Sequence, residues 1–181
     1  MSSVDQSWPD VAAAVVEMGS KFAALGVMPT TGQTVADIGS SSGLVGFALI
    51  RHVADATCIS IGAADALDDA RQLAAEVGVQ DRATFITADV TRLDLEADSI
   101  DVALLGDAVM ALDNEYVSAA LANIRRAIRP GGVLYLAGTS SVDASNVTLR
   151  PLLDESGFDN LSTTTITGGG YVLRRFALSA A

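Results

Sequence analysis

Between residues 34 and 137 the chain alternates short apolar runs with longer stretches of helical period. Thr34 to Ile38, Thr57 to Ile61, Ala83 to Thr87, Ile100 to Leu105 and Val133 to Ala137 read as strands. Leu44 to Val53, Asp65 to Val77 and Tyr116 to Ile128 read as helices. Such alternation predicts a parallel sheet covered on both faces, because each crossover helix must pack back across the strands. A further helix is expected from Ser145 to Ser156, ended by Gly157. Asn160 to Thr167 and Tyr171 to Leu178 then alternate with period two around Gly168-Gly169-Gly170, predicting a hairpin. The expected fold is α/β: a seven-stranded, mostly parallel sheet with helices on both faces and a C-terminal antiparallel hairpin.

The N-terminal part fits an appended helix. Ser7-Trp8-Pro9-Asp10 combines a cap residue, a proline in the first turn and a carboxylate three residues on. Val11, Val15, Met18, Phe22 and Leu25 follow at helical spacing, and Gly26 stops them. Residues 1–32 are expected to form a helix and linker packed on the core, with residues before Trp8 loose. Residues 33–181 are expected to form one α/β domain, consistent with a chain of 181 residues.

Composition narrows the class. A 50 % hydrophobic chain is not disordered, and the lone Cys58 excludes an internal disulfide framework. Apolar runs such as Val45 to Ile50 fall far short of the ~20 residues of a membrane span. Met1 to Asp5 lacks a secretory signal pattern, so a cytoplasmic location is expected. The net charge is -11, with the basic residues scattered. A small-molecule partner is therefore expected, rather than a nucleic acid or an anionic membrane. Lys21 and His52 are the single lysine and histidine, so multi-histidine metal sites and Ser-His-Asp arrangements have little to draw on. No metal site is expected.

Ligands of parallel α/β sheets bind beyond the carboxyl ends of the strands, which directs attention to 37–43, 60–65, 88–90 and 106–110. Asp37-Ile38-Gly39-Ser40-Ser41-Ser42-Gly43 leads directly from strand to helix. Glycines there let the backbone approach a ligand, and the helix start offers free amide donors. The same residues also suit a tight strand-to-helix connection that binds nothing.

In this context the chain resembles the class I S-adenosylmethionine-dependent methyltransferases, whose fold is Rossmann-like. Val35 to Gly43 resembles their first motif, an apolar strand, an acid and Gly-x-Gly-x-Gly, with Ser41 in place of the middle glycine. Thr87-Ala88-Asp89-Val90, Ser99 to Leu105, Arg129 to Leu134 and Leu152 to Phe158 resemble four later motifs in the same order. The resemblance covers roughly 33–178. It implies S-adenosylmethionine as cofactor and methyl transfer to a small molecule. It also implies roles for residues. The turn Gly39, Ser40, Ser41 and Gly43 would cradle the methionine part, and Asp37 would fix that turn or reach the amino group through water. Asp89 would bind the adenine amino group, and Val90 would offer a backbone donor. The backbone at Gly106 would face the cofactor's amino and methyl groups. Asp89 also reads as a helix cap, since Thr91 and Arg92 follow.

One departure stands out. The resemblance places a ribose-binding acid at Ile61 or Gly62, yet Ser60-Ile61-Gly62-Ala63-Ala64 contains no carboxylate. The nearest is Asp65, already in the helix turn. Asp107 is the candidate general base, or orients a substrate donor; an exposed turn carboxylate is its plain alternative. Asp113, Glu115 and Tyr116 could line the same mouth, with Asp113 equally an N-cap. Trp8 is either a lid over the site or packing for the N-terminal helix. His52 reads as a surface or partly packed residue, and Cys58 as core. The loop 139–144 is short, so the pocket is expected to be open or closed by a partner subunit, and a homo-oligomer is compatible. Two further readings keep the fold without methyl transfer: a non-methylating activity such as cyclisation or rearrangement, and a non-catalytic partner subunit.

Overall fold

A computed structural model describes residues 8–39, 42–106, 109, 112–139, 146–166 and 171–178. The strands are β1 (Thr34–Ile38), β2 (Thr57–Gly62), β3 (Ala83–Thr87), β4 (Ile100–Leu105), β5 (Ile128–Thr139), β6 (Phe158–Ile166) and β7 (Tyr171–Leu178). The helices are α1 (Trp8–Ala24), α2 (Leu44–Ile50), α3 (Ala64–Glu76), α4 (Asn114–Ala127) and α5 (Asn146–Glu155).

The sheet order is β3-β2-β1-β4-β5-β7-β6. Its parallel, Rossmann-like part is five strands, β3 to β5. β7 joins β5 antiparallel, and β6 pairs only with β7, also antiparallel. The connection expected at Gly168-Gly169-Gly170 lies outside the described residues, as do the residues before Trp8 and the loop 140–145.

Strand alternation sorts the side chains into two cores. Val35, Cys58, Val102, Leu104 and Tyr135 face α1, α2 and α3. Ala36, Ile38, Ile61, Ala103, Leu105 and Leu134 face α4 and α5. α1 packs its buried face, Val15, Met18, Gly19 and Phe22, onto the first core. A Cβ on Gly19 would stand 2.8 Å from the Ala48 carbonyl and 2.9 Å from the His52 ring, so the two helices meet backbone to backbone there.

Two of the departures from the expected bounds have visible reasons. α2 ends at Ile50 rather than Val53. One nitrogen of Arg82 donates to the carbonyls of Ile50 (2.9 Å), Val53 (2.8 Å) and Ala56 (3.1 Å), which draws the chain out of the helix. β5 begins at Ile128, before the expected turn Pro130-Gly131-Gly132. The register steps from Ile100↔Ile128 to Val102↔Val133, so that turn is a bulge inside the strand. Gly132 permits it: a Cβ there would lie 2.7 Å from the Asp101 carbonyl.

Candidate functional site

Ladder hydrogen bonds continue one residue beyond the strands and bring their carboxyl ends level. Gly39 N donates to Ile61 O (2.9 Å), Ala88 N to Gly62 O (3.2 Å) and Gly106 N to Ile38 O (3.0 Å). Gly39, Gly62, Ala88 and Gly106 therefore form one row across the ends of four adjacent strands. At about 4.8 Å per strand spacing, the row spans roughly 15 Å from β3 to β4.

The turn after β1 is bounded by two left-handed glycines. Gly39 and Gly43 sit at φ 71° and 70°, a left-handed conformation that side-chain-bearing residues adopt at a cost. Gly43 is also the N-cap of α2, where a Cβ would collide with the Phe47 ring at 2.5 Å. Asp37 is buried at 1 % exposure, and its Oδ2 accepts from Gly46 N of α2 at 3.1 Å. It thereby ties β1 to α2 across the turn. Ser40 and Ser41 lie outside the described residues.

Asp89 takes up the helix-cap reading. It caps the one-turn 3-10 helix Val90–Arg92. Its Oδ1 accepts from Thr91 N (2.9 Å) and from the Thr91 hydroxyl (2.8 Å). Oδ2 has no bond among the described residues. These bonds, the backbone one foremost, hold the Asp89 carboxyl below the usual carboxylate range. It is an exposed anion with one oxygen anchored and the other open to a donor. The Val90 amide, next in the chain, has no acceptor among the described residues.

The remaining expected positions are more constrained. The Gly106 amide is used by Ile38 O, and its carbonyl accepts from Val109 N at 3.2 Å, leaving a ligand only the carbonyl's second lone pair. Ile61 is fully buried in the second core, so its side chain does not line the edge. Gly62 adds no side chain, and the exposed Ala63 is the N-cap of α3. Asp65 is exposed in the first turn of α3, with Oδ1 accepting from Ala66 N at 2.9 Å. Asp107 lies outside the described residues. Asp113 occupies the N-cap of α4 without a side-chain cap bond, and Tyr116 is 48 % exposed two residues into that helix. Trp8 packs, half-buried, against the first core. Cys58 is buried, and burial first, then the Asp37 charge, pushes its thiol well above the usual range.

Sequence reasoning missed Arg82, whose three acceptors come from separate turns. It named Thr91 only as a neighbour of a cap; the Asp-x-Thr spacing was the signal for its double bond to Asp89.

A parallel sheet whose strand ends stand level around a glycine turn, with helices on both faces, defines an α/β protein of Rossmann-like type. The family model described as a methyltransferase domain matches residues 35–132, over half of the chain. The chain belongs to the class I S-adenosylmethionine-dependent methyltransferase family. The sequence has no match among curated proteins. Among solved structures, the fold is similar to the mitomycin 7-O-methyltransferase MmcR, with a TM-score of 0.74, 18 % identity, and coverage of 92 % of this chain and 54 % of that one. It is similar to a TehB-like SAM-dependent methyltransferase from Corynebacterium glutamicum, with a TM-score of 0.71, 16 % identity, and coverage of 95 % and 94 %. A third is a putative S-adenosyl-L-methionine-dependent methyltransferase from Methanococcus maripaludis, with a TM-score of 0.67, 17 % identity, and coverage of 100 % and 98 %. The chain thus spans little more than half the length of the mitomycin enzyme and nearly all of the other two.

Proposed function

We propose that this chain transfers a methyl group from S-adenosylmethionine to a small-molecule acceptor. The observation that carries the reading is the level row of strand ends, with the Gly39–Gly43 turn at one point and the open Asp89 oxygen at another. The residues fit the cofactor at two of three places. Gly39 and Gly43 bound the turn with left-handed backbone that glycine adopts freely, and Asp89 with the Val90 amide offers an acceptor and a donor of the kind adenine needs. The end of β2 is the exception, with no carboxylate for a ribose.

Bound there, the cofactor supplies a methyl group activated by its sulfonium. The protein's part would be alignment: the turn would hold one end of the cofactor, Asp89 and Val90 would hold the other, and the Gly106 backbone would face its amino and methyl groups. A base matters only for an acceptor that arrives protonated, and Asp107 is proposed for that role from its position after β4. Asp113, Glu115 and Tyr116, exposed at the start of α4, are proposed to line the acceptor's entrance.

Calorimetric titration with S-adenosylmethionine and S-adenosylhomocysteine tests the reading. Micromolar dissociation constants support it, and absence of binding at millimolar ligand rejects it. The bare end of β2 favours a second reading, a methyltransferase-like protein with a non-methylating activity. That reading predicts binding of another ligand in the same row of strand ends, without methyl transfer.

A further inference from the structure

The end of β2 exposes no polar side chain from Ile61 to Ala64. In Rossmann-type sites, the acid that accepts from the ribose lies about 20 residues beyond the glycine turn. In this chain that is the stretch from Ile59 to Ala63. Ile61 is fully buried in the second core, and Ser60 is buried at 1 % exposure. The Ile61 carbonyl accepts from Gly39 N, and the Gly62 carbonyl from Ala88 N. The side chains exposed next are the methyl groups of Ala63 and Ala64. Asp65 comes next, in the first turn of α3; its Oδ1 accepts from the Ala66 amide of its own helix, and its Oδ2 has no bond among the described residues.

A site built to hydrogen-bond a hydroxyl rejects the analogue lacking it by several orders of magnitude, whereas an apolar wall discriminates far less. We infer that the nucleoside pocket does not read the ribose 2′-hydroxyl, and that the chain accepts 2′-deoxyadenosyl ligands about as well as adenosyl ones. The inference rests on the cofactor reading above and adds the ligand class, adenosyl thioethers and sulfoniums modified on the sugar.

The test is calorimetric titration of the full chain with S-adenosylhomocysteine and with its 2′-deoxy analogue. The expected result is two dissociation constants within about threefold of each other, unchanged in ratio by Asp65→Asn. Ala63→Asp supplies the missing carboxylate at an exposed N-cap with extended backbone, where Asp is a favoured residue. In that variant the ratio is expected to rise to about tenfold or more in favour of the ribose form. A native preference of about tenfold or more overturns the inference, and its loss in Asp65→Asn would name Asp65 as the reader. An Ala63→Asp chain that folds yet gains no preference also overturns it, because the sugar then lies elsewhere. Binding of neither ligand by the native chain rejects the cofactor reading itself, and this inference with it.

Discussion

The amide of Gly46 donates to Oδ2 of Asp37 at 3.1 Å, and a Cβ on Gly46 would stand 2.8 Å from that same oxygen. The Cys58 sulfur would lie equally close. The carboxylate can hold the start of α2 only because residue 46 has no side chain. Gly46→Ala is therefore expected to destabilise the fold by about 1–3 kcal/mol, the usual cost of overpacking. For a chain of this size that lowers the melting temperature by roughly 2–4 °C per kcal/mol, measurable by calorimetry. On the proposed cofactor reading, S-adenosylhomocysteine affinity is expected to fall as well, because Gly43 caps the same helix.

Arg82 holds the opposite end of the same helix. Its Nη1 donates to the Ile50, Val53 and Ala56 carbonyls. Arg82→Ala is expected to cost about 1.5–3 kcal/mol, the range for hydrogen bonds to a charged group. Arg82→Lys should recover part of it. Urea unfolding midpoints of the three proteins check the order.

Asp89 sets a pH dependence. Its folded-state pKa is depressed, so its contribution is complete above the unfolded value and is lost as pH falls through the lower folded one. S-adenosylhomocysteine affinity, to the extent that it depends on Asp89, should stay flat from about pH 8 to pH 5, above the ordinary Asp range. Asp89→Ala should weaken binding by roughly tenfold, the worth of about one hydrogen bond. Titrations at several pH values on both proteins decide the matter; a loss of affinity centred above the ordinary Asp range contradicts it.

Cys58 is fully buried beside Asp37. Its raised pKa keeps the thiol neutral, and only the thiolate reacts readily. A thiol reagent at pH 8 should leave the native protein unlabelled and modify it as denaturant unfolds it. Because the folded pKa is raised, the stabilisation is full below the unfolded pKa and disappears as pH rises through the folded one. Labelling of the native chain at the rate of a free thiol would refute this.

Gly19 lets α1 lie against the Ala48 carbonyl and the His52 ring. Gly19→Ala has to push these apart, while Ala favours the helix by up to about 1 kcal/mol. A net loss of stability is expected because the nearest atom, at 2.8 Å, is backbone. An unchanged or raised melting temperature would show that α1 can shift freely.

The sequence by itself determined the repeating units, since strand and helix periods depend only on which residues are apolar and where glycine and proline interrupt them. Thr34–Ile38 was legible in that way, and so was β2, expected over Thr57 to Ile61 and ending one residue later at Gly62. Tertiary structure decided what no local pattern contains. Register placed Gly39, Gly62, Ala88 and Gly106 in one row, and it turned Ile61 into the second core. Contacts over many residues ended α2 at Arg82's acceptors and folded Pro130-Gly131-Gly132 into a bulge against Asp101. The split use of the Asp89 carboxylate lies between the two. Its spacing to Thr91 was on the page, but which oxygen the turn consumes depends on backbone angles that only the packed chain sets.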